Sequence, residues 1–235
     1  MTTDIFSETL QALPTAWELA ALSFAYPTND LAQALLDGQW GEAAAEIAGQ
    51  LGFDLPDNFG SFEDDASDKY ATADELRHAL SVEATKLFIG TVTPEVTPYE
   101  GIWYANEKDI QALLYVNPKA MAVERFMKAC GLTRPEGTNE PLDHVATECE
   151  LMEFLSLRAF VPEAFADQDV IAEGKLPGGS AQAAYQEFFS EHVASWVPAF
   201  CEAVKAKSRI AFYHDAAEYL AALVAWNQKS VDAIQ

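Results

Sequence analysis

The sequence predicts an all-α fold, an irregular bundle of helices. Apolar residues recur at intervals of three and four along nearly the whole 235-residue chain, the spacing that lines one face of a helix. No stretch of four or more residues alternates cleanly between apolar and polar with turn signals on either side, so a sheet has no sequence to build it. Glycine and proline gather in a few connections, cutting the pattern into pieces of helical length.

Trp17, Ala20, Ala21 and Phe24 form one face of an opening helix that ends before Pro27. Asn29 or Asp30 is placed to cap a short helix running to Leu36, and an Ala-rich helix follows from Trp40 to about Leu51. Residues 52–69 are rich in Gly, Pro and Asp and read as a surface loop. Thr72-Ala73-Asp74-Glu75 has the form of a capping box, in which Thr72 and Glu75 each satisfy an orphan N–H. Leu76, Leu80, Ala84, Leu87 and Phe88 then make a buried stripe stopped by Gly90. The aromatic segment Pro98-Tyr99-Glu100-Gly101-Ile102-Trp103-Tyr104 reads as an irregular connection.

Asn117-Pro118 starts the next helix with proline in its first turn, and Gly131 lies at its C-terminal cap. After the loop Gly131–Glu140, Pro141 holds Glu140 extended, and Asp143 is placed to cap an exposed helix start. Val145, Cys149, Met152 and Leu155 are the stripe of that helix, and a Pro- and Gly-rich loop runs from about Val161 to Gly179. Two long helices close the chain: Tyr185, Phe188, Phe189, Val193, Trp196, Phe200 and Val204, then Ile210, Tyr213, Ala217, Leu220 and Val224. Pro198 is expected to kink or split the first of them. Residues 1–135 and 136–235 are expected as two helical lobes joined by a hinge near 132–143, with one continuous domain as the alternative.

Half the residues are hydrophobic and 11% are aromatic, so the chain is globular rather than an acidic disordered tail. The net charge is −23, from 37 acids against 14 bases, and both halves share the surplus. Such a surface repels phosphate backbones and steers basic partners, which argues against nucleic acid; solubility or a salt-rich cytoplasm would give the same composition. Cys130, Cys149 and Cys201 have no C-x-x-C spacing and sit in apolar helical patterns, as reduced core thiols of a cytoplasmic protein do. The first residues lack the basic and apolar regions of a secretory signal, and no apolar run approaches a membrane span.

Candidate chemistry concentrates at Asp143 and His144, where capping, binding and catalysis all remain open on local physics. His144 and Glu148 stand four apart on one helix face, a spacing compatible with metal ligation that His192 or His214 could extend. No His-Glu-x-x-His or Glu-x-x-His motif accompanies them, so no metal is expected. There is no Gly-x-Ser-x-Gly and no P-loop, and no catalytic residue is assigned. A small enzyme using Asp143 and His144 is the minority reading. Tyr99, Trp103 and Tyr104 offer rigid apolar area with polar tips, suited either to recognition or to plugging the core.

Leu87-Phe88-Ile89-Gly90, then Pro98-Tyr99-Glu100-Gly101-Ile102-Trp103-Tyr104, and some forty residues later Glu140-Pro141-Leu142-Asp143-His144, together resemble the TorD/DmsD family. Phe189, His192, Trp196, Phe200 and Phe212-Tyr213 also fall in the family's order, so the resemblance covers roughly residues 10–225. Gly101 departs from it, since the family usually carries Ser there. The resemblance implies an all-helical, non-enzymatic cytoplasmic chaperone. Such a chaperone binds the twin-arginine signal peptide and apo form of a molybdoenzyme of the TMAO/DMSO reductase type while the molybdenum cofactor is inserted, before export. A NarJ-like assembly chaperone for a membrane-bound respiratory reductase is the alternative within the family. The client-binding residues implied are Leu87, Phe88, Pro98, Tyr99, Glu100, Trp103, Pro141, Asp143, His144 and Glu148. The acids among them would receive guanidinium groups, and the aromatic and Leu-lined surface would receive the apolar part of the leader. The molybdenum cofactor belongs to the client; no cofactor of the chain's own is expected, with weak nucleotide binding left open. The expected assembly is a monomer with some domain-swapped dimer.

Overall fold

The computed structural model describes residues 9–57, 59–60, 69–90, 92–110, 117–134, 137, 140–166 and 170–234. Among these the fold is all-α, with no strand. The helices are α1 (Leu13–Phe24), α2 (Asn29–Leu36), α3 (Gln39–Leu51), α4 (Ala73–Ala84), α5 (Glu100–Glu107), α6 (Pro118–Ala129), α7 (Val145–Phe160), α8 (Ala181–Phe188), α9 (Ala194–Lys207) and α10 (Ala211–Ile234). Wider π-helical turns extend α4 through Thr85–Ile89 and join α8 to α9 through Phe189–Val193.

Local signals explain most helix starts. Thr72 Oγ1 accepts from Glu75 N at 3.3 Å, while Glu75 Oε2 accepts from Ala71 N at 2.9 Å, so the reciprocal half of the box reaches one residue further out than expected. Asn117 Oδ1 accepts from Ala120 N at 2.7 Å ahead of Pro118. Gly131 follows the last turn of α6 at φ 82°, left-handed geometry in which glycine meets no Cβ penalty. The cap of α2 is Thr28, accepting from Leu31 N at 3.2 Å, rather than Asn29 or Asp30, which are already helical. Pro98–Tyr104 is not wholly irregular, because α5 begins at Glu100. Pro198 neither ends nor splits α9, which continues to Lys207. Of the loops expected at 52–69 and 161–179, residues 58, 61–68 and 167–169 lie outside the described residues.

Contacts group the chain into two compact units, a different division from lobes 1–135 and 136–235. Among the described residues, one holds those up to Glu18 together with those of Tyr99–Val197; the other holds those of Leu19–Pro98 together with those from Pro198 onward. Both α1 and α9 contribute residues to each unit, so chain order does not match unit order. Where described, 132–143 falls within the first unit. Loop signals mark where a chain turns, not which helices pack.

In the first unit α7 packs along α8. Trp17 Nε1 donates to Tyr185 Oη at 3.0 Å, and Phe126 and Phe188 bring their ring centroids to 5.0 Å. In the second unit α2 packs on α4. Its core is aromatic: Trp40 lies 5.3 Å from both Phe59 and Phe212, and Phe88 lies within 6.3 Å of Phe24, Phe200 and Tyr213. Gly90 ends the π turn at φ 67°, where a Cβ would come within 2.1 Å of Thr93 O, so only glycine fits. Among the described residues no helix is long and apolar enough to cross a membrane.

Candidate functional site

The start of α7 meets the start of α5. Glu100 N donates to Asp143 O at 2.9 Å, and Gly101 N donates to Asp143 Oδ2 at 2.8 Å. Tyr99 and His144 form an isolated antiparallel bridge, with their rings edge to face at 5.2 Å. These bonds correct the assignment of Asp143 as the cap at an exposed helix start. Asp143 is fully buried and spends its side chain on α5. His144 is the cap, its Nδ1 accepting from Ala146 N at 3.1 Å. That bond requires the neutral ring, and burial lowers the His144 pKa to about 4.

Glu100 and Glu148, in the first turns of α5 and α7, point into the same interior. Glu100 Oε2 lies 2.7 Å from His192 Nδ1, and its Oε1 lies 2.7 Å from Lys119 Nζ on α6. Glu148 Oε2 accepts from Trp196 Nε1 at 2.9 Å. Burial, then the negative charge of Glu100, holds the Glu148 carboxyl well above the ordinary carboxylate range; the indole N–H opposes this more weakly. Burial raises Asp143 as well, against the Gly101 N–H. The network therefore carries more acid than base, and it relieves the excess by keeping protons on its least solvated members.

Gly101 belongs to this geometry. A Cβ built on it would lie 2.3 Å from Asn117 Oδ1, so the serine usual in the family cannot sit here while Asn117 keeps its place.

The structure thus brings together Tyr99, Glu100, Asp143, His144 and Glu148 of the expected binding residues. Trp103 lies on α5 with its ring 6.4 Å from that of Trp196. Pro141 instead lines a cleft of about 390 Å³, with Met127, Leu132, Leu142, Leu151 and Phe154 as its apolar wall and Glu140 and Glu150 exposed beside them. Leu87, Phe88 and Pro98 belong to the other unit, where Leu87 is fully buried and Phe88 joins the aromatic core. Glu100, Asp143 and Glu148 are at most 1% exposed, so they do not front solvent, whereas Glu140 and Glu150 are exposed.

Lys119, Asn117, His192 and Trp196 are the site members that motif reading did not assign. Beside its place in the family's order and its weighing as a possible metal ligand, His192 carried a further signal: it lies in the aromatic run Phe188–Trp196, where a buried imidazole must find a partner. His144 does not join His192 around Glu148, since its ring is used at the cap. Among the described residues no activated nucleophile accompanies Asp143 and His144, and burial pushes the Cys130 thiol up to about 11 and raises the Cys201 thiol further.

An all-α chain with buried acids where two helix starts meet has a match among known families. The profile of the family described as nitrate reductase delta subunit matches residues 33–202. The chain belongs to that family, to which the TorD/DmsD chaperones belong as well. It is similar to the "Chaperone protein TorD" of Photobacterium profundum, 28% identical over 142 residues, 60% of this chain and 59% of that protein. It is also similar to the "Chaperone protein TorD" of Vibrio cholerae serotype O1, 24% identical over 155 residues, 66% of this chain and 63% of that protein. The matched stretch thus spans less than two thirds of either relative's length.

Proposed function

We propose that this protein is a cytoplasmic maturation chaperone for a redox enzyme. It binds the twin-arginine leader and apo form of a molybdoenzyme, and so holds back export while the molybdenum cofactor enters the client. The observation that carries this reading is the cleft lined by Pro141, Leu142, Leu151 and Phe154 beside Glu140 and Glu150, in a chain whose relatives are named chaperones. An apolar trough flanked by carboxylates complements a peptide with two adjacent arginines followed by an apolar stretch. The acidic surface as a whole adds steering toward such a ligand.

The test is calorimetric titration, at low and high salt, with four synthetic leaders: native-like, Arg-Arg→Gln-Gln, Arg-Arg→Lys-Lys, and polar-substituted in the apolar stretch. The native-like leader should bind tightest and weaken with salt, because exposed ion pairs are screened over about 8–10 Å. The lysine peptide should bind less well, lacking the planar fork. Glu140→Gln with Glu150→Gln should remove most of the salt dependence, and polar substitution in the peptide should remove the salt-resistant remainder. Equal affinity for all four leaders would overturn the reading.

The family's description as nitrate reductase delta subunit favours a second reading, a NarJ-like chaperone for a membrane-bound respiratory reductase. Preference for a reductase N-terminus without the arginine pair would select it.

A further inference from the structure

We propose that Glu100, Glu148 and His192 form an interior site for a divalent first-row transition-metal ion. One nitrogen or oxygen from each lies within 4.8 Å of the others, and all three residues are buried. The ligands come from three separate places, α5, α7 and the π turn Phe189–Val193, so chain proximity does not explain their meeting. Glu148 is 0% exposed, and with Oε2 on the Trp196 indole its Oε1 has no hydrogen-bond partner among the described residues.

Charge points the same way. The interior holds three buried carboxyl groups, those of Glu100, Asp143 and Glu148, against the single side-chain amine of Lys119. Buried charge must be paired or must coordinate a metal, and one divalent ion cancels that excess. The His192 Nδ1 to Glu100 Oε2 contact at 2.7 Å sets two of the three ligand atoms side by side. One imidazole with two carboxylates suits zinc, manganese, iron(II) or cobalt(II) better than the all-oxygen shells of magnesium and calcium. The Trp196 and Lys119 contacts hold the two carboxylates from behind, as outer-shell partners do. His192 also lines an open cleft of about 430 Å³ with Arg125, Phe126, Lys175 and Glu191.

Full-length protein stripped with chelator and titrated with Co²⁺ near neutral pH tests this without reference to any client. One equivalent should bind with a visible ligand-field band. Glu148→Gln and His192→Gln should each weaken Co²⁺ by at least about tenfold, in the range seen when metal shells are disturbed, with the fold checked by far-UV circular dichroism. The amide in Glu148→Gln still accepts from Trp196, so that variant is expected to fold and suffices by itself. Glu202→Gln, an exposed acid, should leave the affinity unchanged and so separates the site from loose binding to the acidic surface. No ligand-field band in the wild type, or equal affinity in Glu148→Gln and Glu202→Gln, would overturn the proposal.

Discussion

In the unit of Leu19–Pro98 and the C-terminal helices, the Trp40 indole donates to Ser23 Oγ at 2.9 Å inside a wall of aromatic rings. In the unit of Tyr99–Val197, the corresponding interior holds Glu100, Asp143, Glu148 and His192, with Lys119 reaching in. The Trp40–Ser23 pair is neutral, and its two polar atoms leave water at modest cost because they partner each other. The second interior places ionisable groups where water is excluded, which is tolerable only while each charge has a counter-charge or a proton. One interior is built for packing, the other at the expense of packing, and the two should fail in different ways.

The contrast breaks most visibly at Glu100. Glu100→Ala takes the carboxylate from the buried His192 ring and from Lys119, which keeps the Glu191 carbonyl, and should cost about 3–5 kcal/mol in urea unfolding, the range for removing one partner of a buried pair. A loss below about 1 kcal/mol would mean that the cluster is hydrated and the contrast empty.

His144 sharpens it through pH. Its folded pKa of about 4 lies below the ordinary 6.5, so the fold favours the neutral ring. Its contribution is therefore complete above pH 6.5 and is lost as pH falls from 6.5 toward 4. The span corresponds to at most about 3 kcal/mol, lessened by the ring's partial exposure. Asp143 and Glu148, raised by burial, act in the opposite sense, losing stability as pH rises above the ordinary carboxylate range. Comparing wild type with His144→Gln across pH 4–7 isolates the imidazole, and parallel stability curves would refute the assignment.

The smallest effect belongs to the neutral core. Trp40→Phe removes the indole bond but leaves Ser23 Oγ its own bond to Leu19 O at 2.6 Å. A loss of about 1–2 kcal/mol, independent of pH, is expected from thermal unfolding. Marked pH dependence there would erase the distinction between the units.

What the sequence disclosed follows the reach of each interaction. The caps at Thr72 and Asn117 and the turn at Gly131 are decided within four residues, and all three were readable. Thr28 caps α2 ahead of the expected Asn29 or Asp30, and His144 displaced the expected cap Asp143 by one residue, because side chains close in sequence compete for the same N–H groups and there a tertiary contact chose between them. Asp143 is the clear instance: its carboxylate is drawn to Gly101, 42 residues away. Lys119 and His192 carry no local mark of their shared partner, since Glu100 and His192 stand 92 residues apart. Gly101 was visible as a departure from the family pattern, but its cause, the Asn117 side chain across the gap, was not.

The junction of α5 and α7 also bears on motion. Three consecutive residues, Tyr99, Glu100 and Gly101, are tied to Asp143 and His144 through a ring contact, the main-chain bond that forms the bridge, and a side-chain bond. No one of these ties can open far while the other two hold, so they should release as a single cooperative event. The amides of Glu100 and Gly101 should then exchange with deuterium at one common, slow rate. The α5 amides toward Glu107, past the clasp and near the exposed end of a short helix, should fray freely.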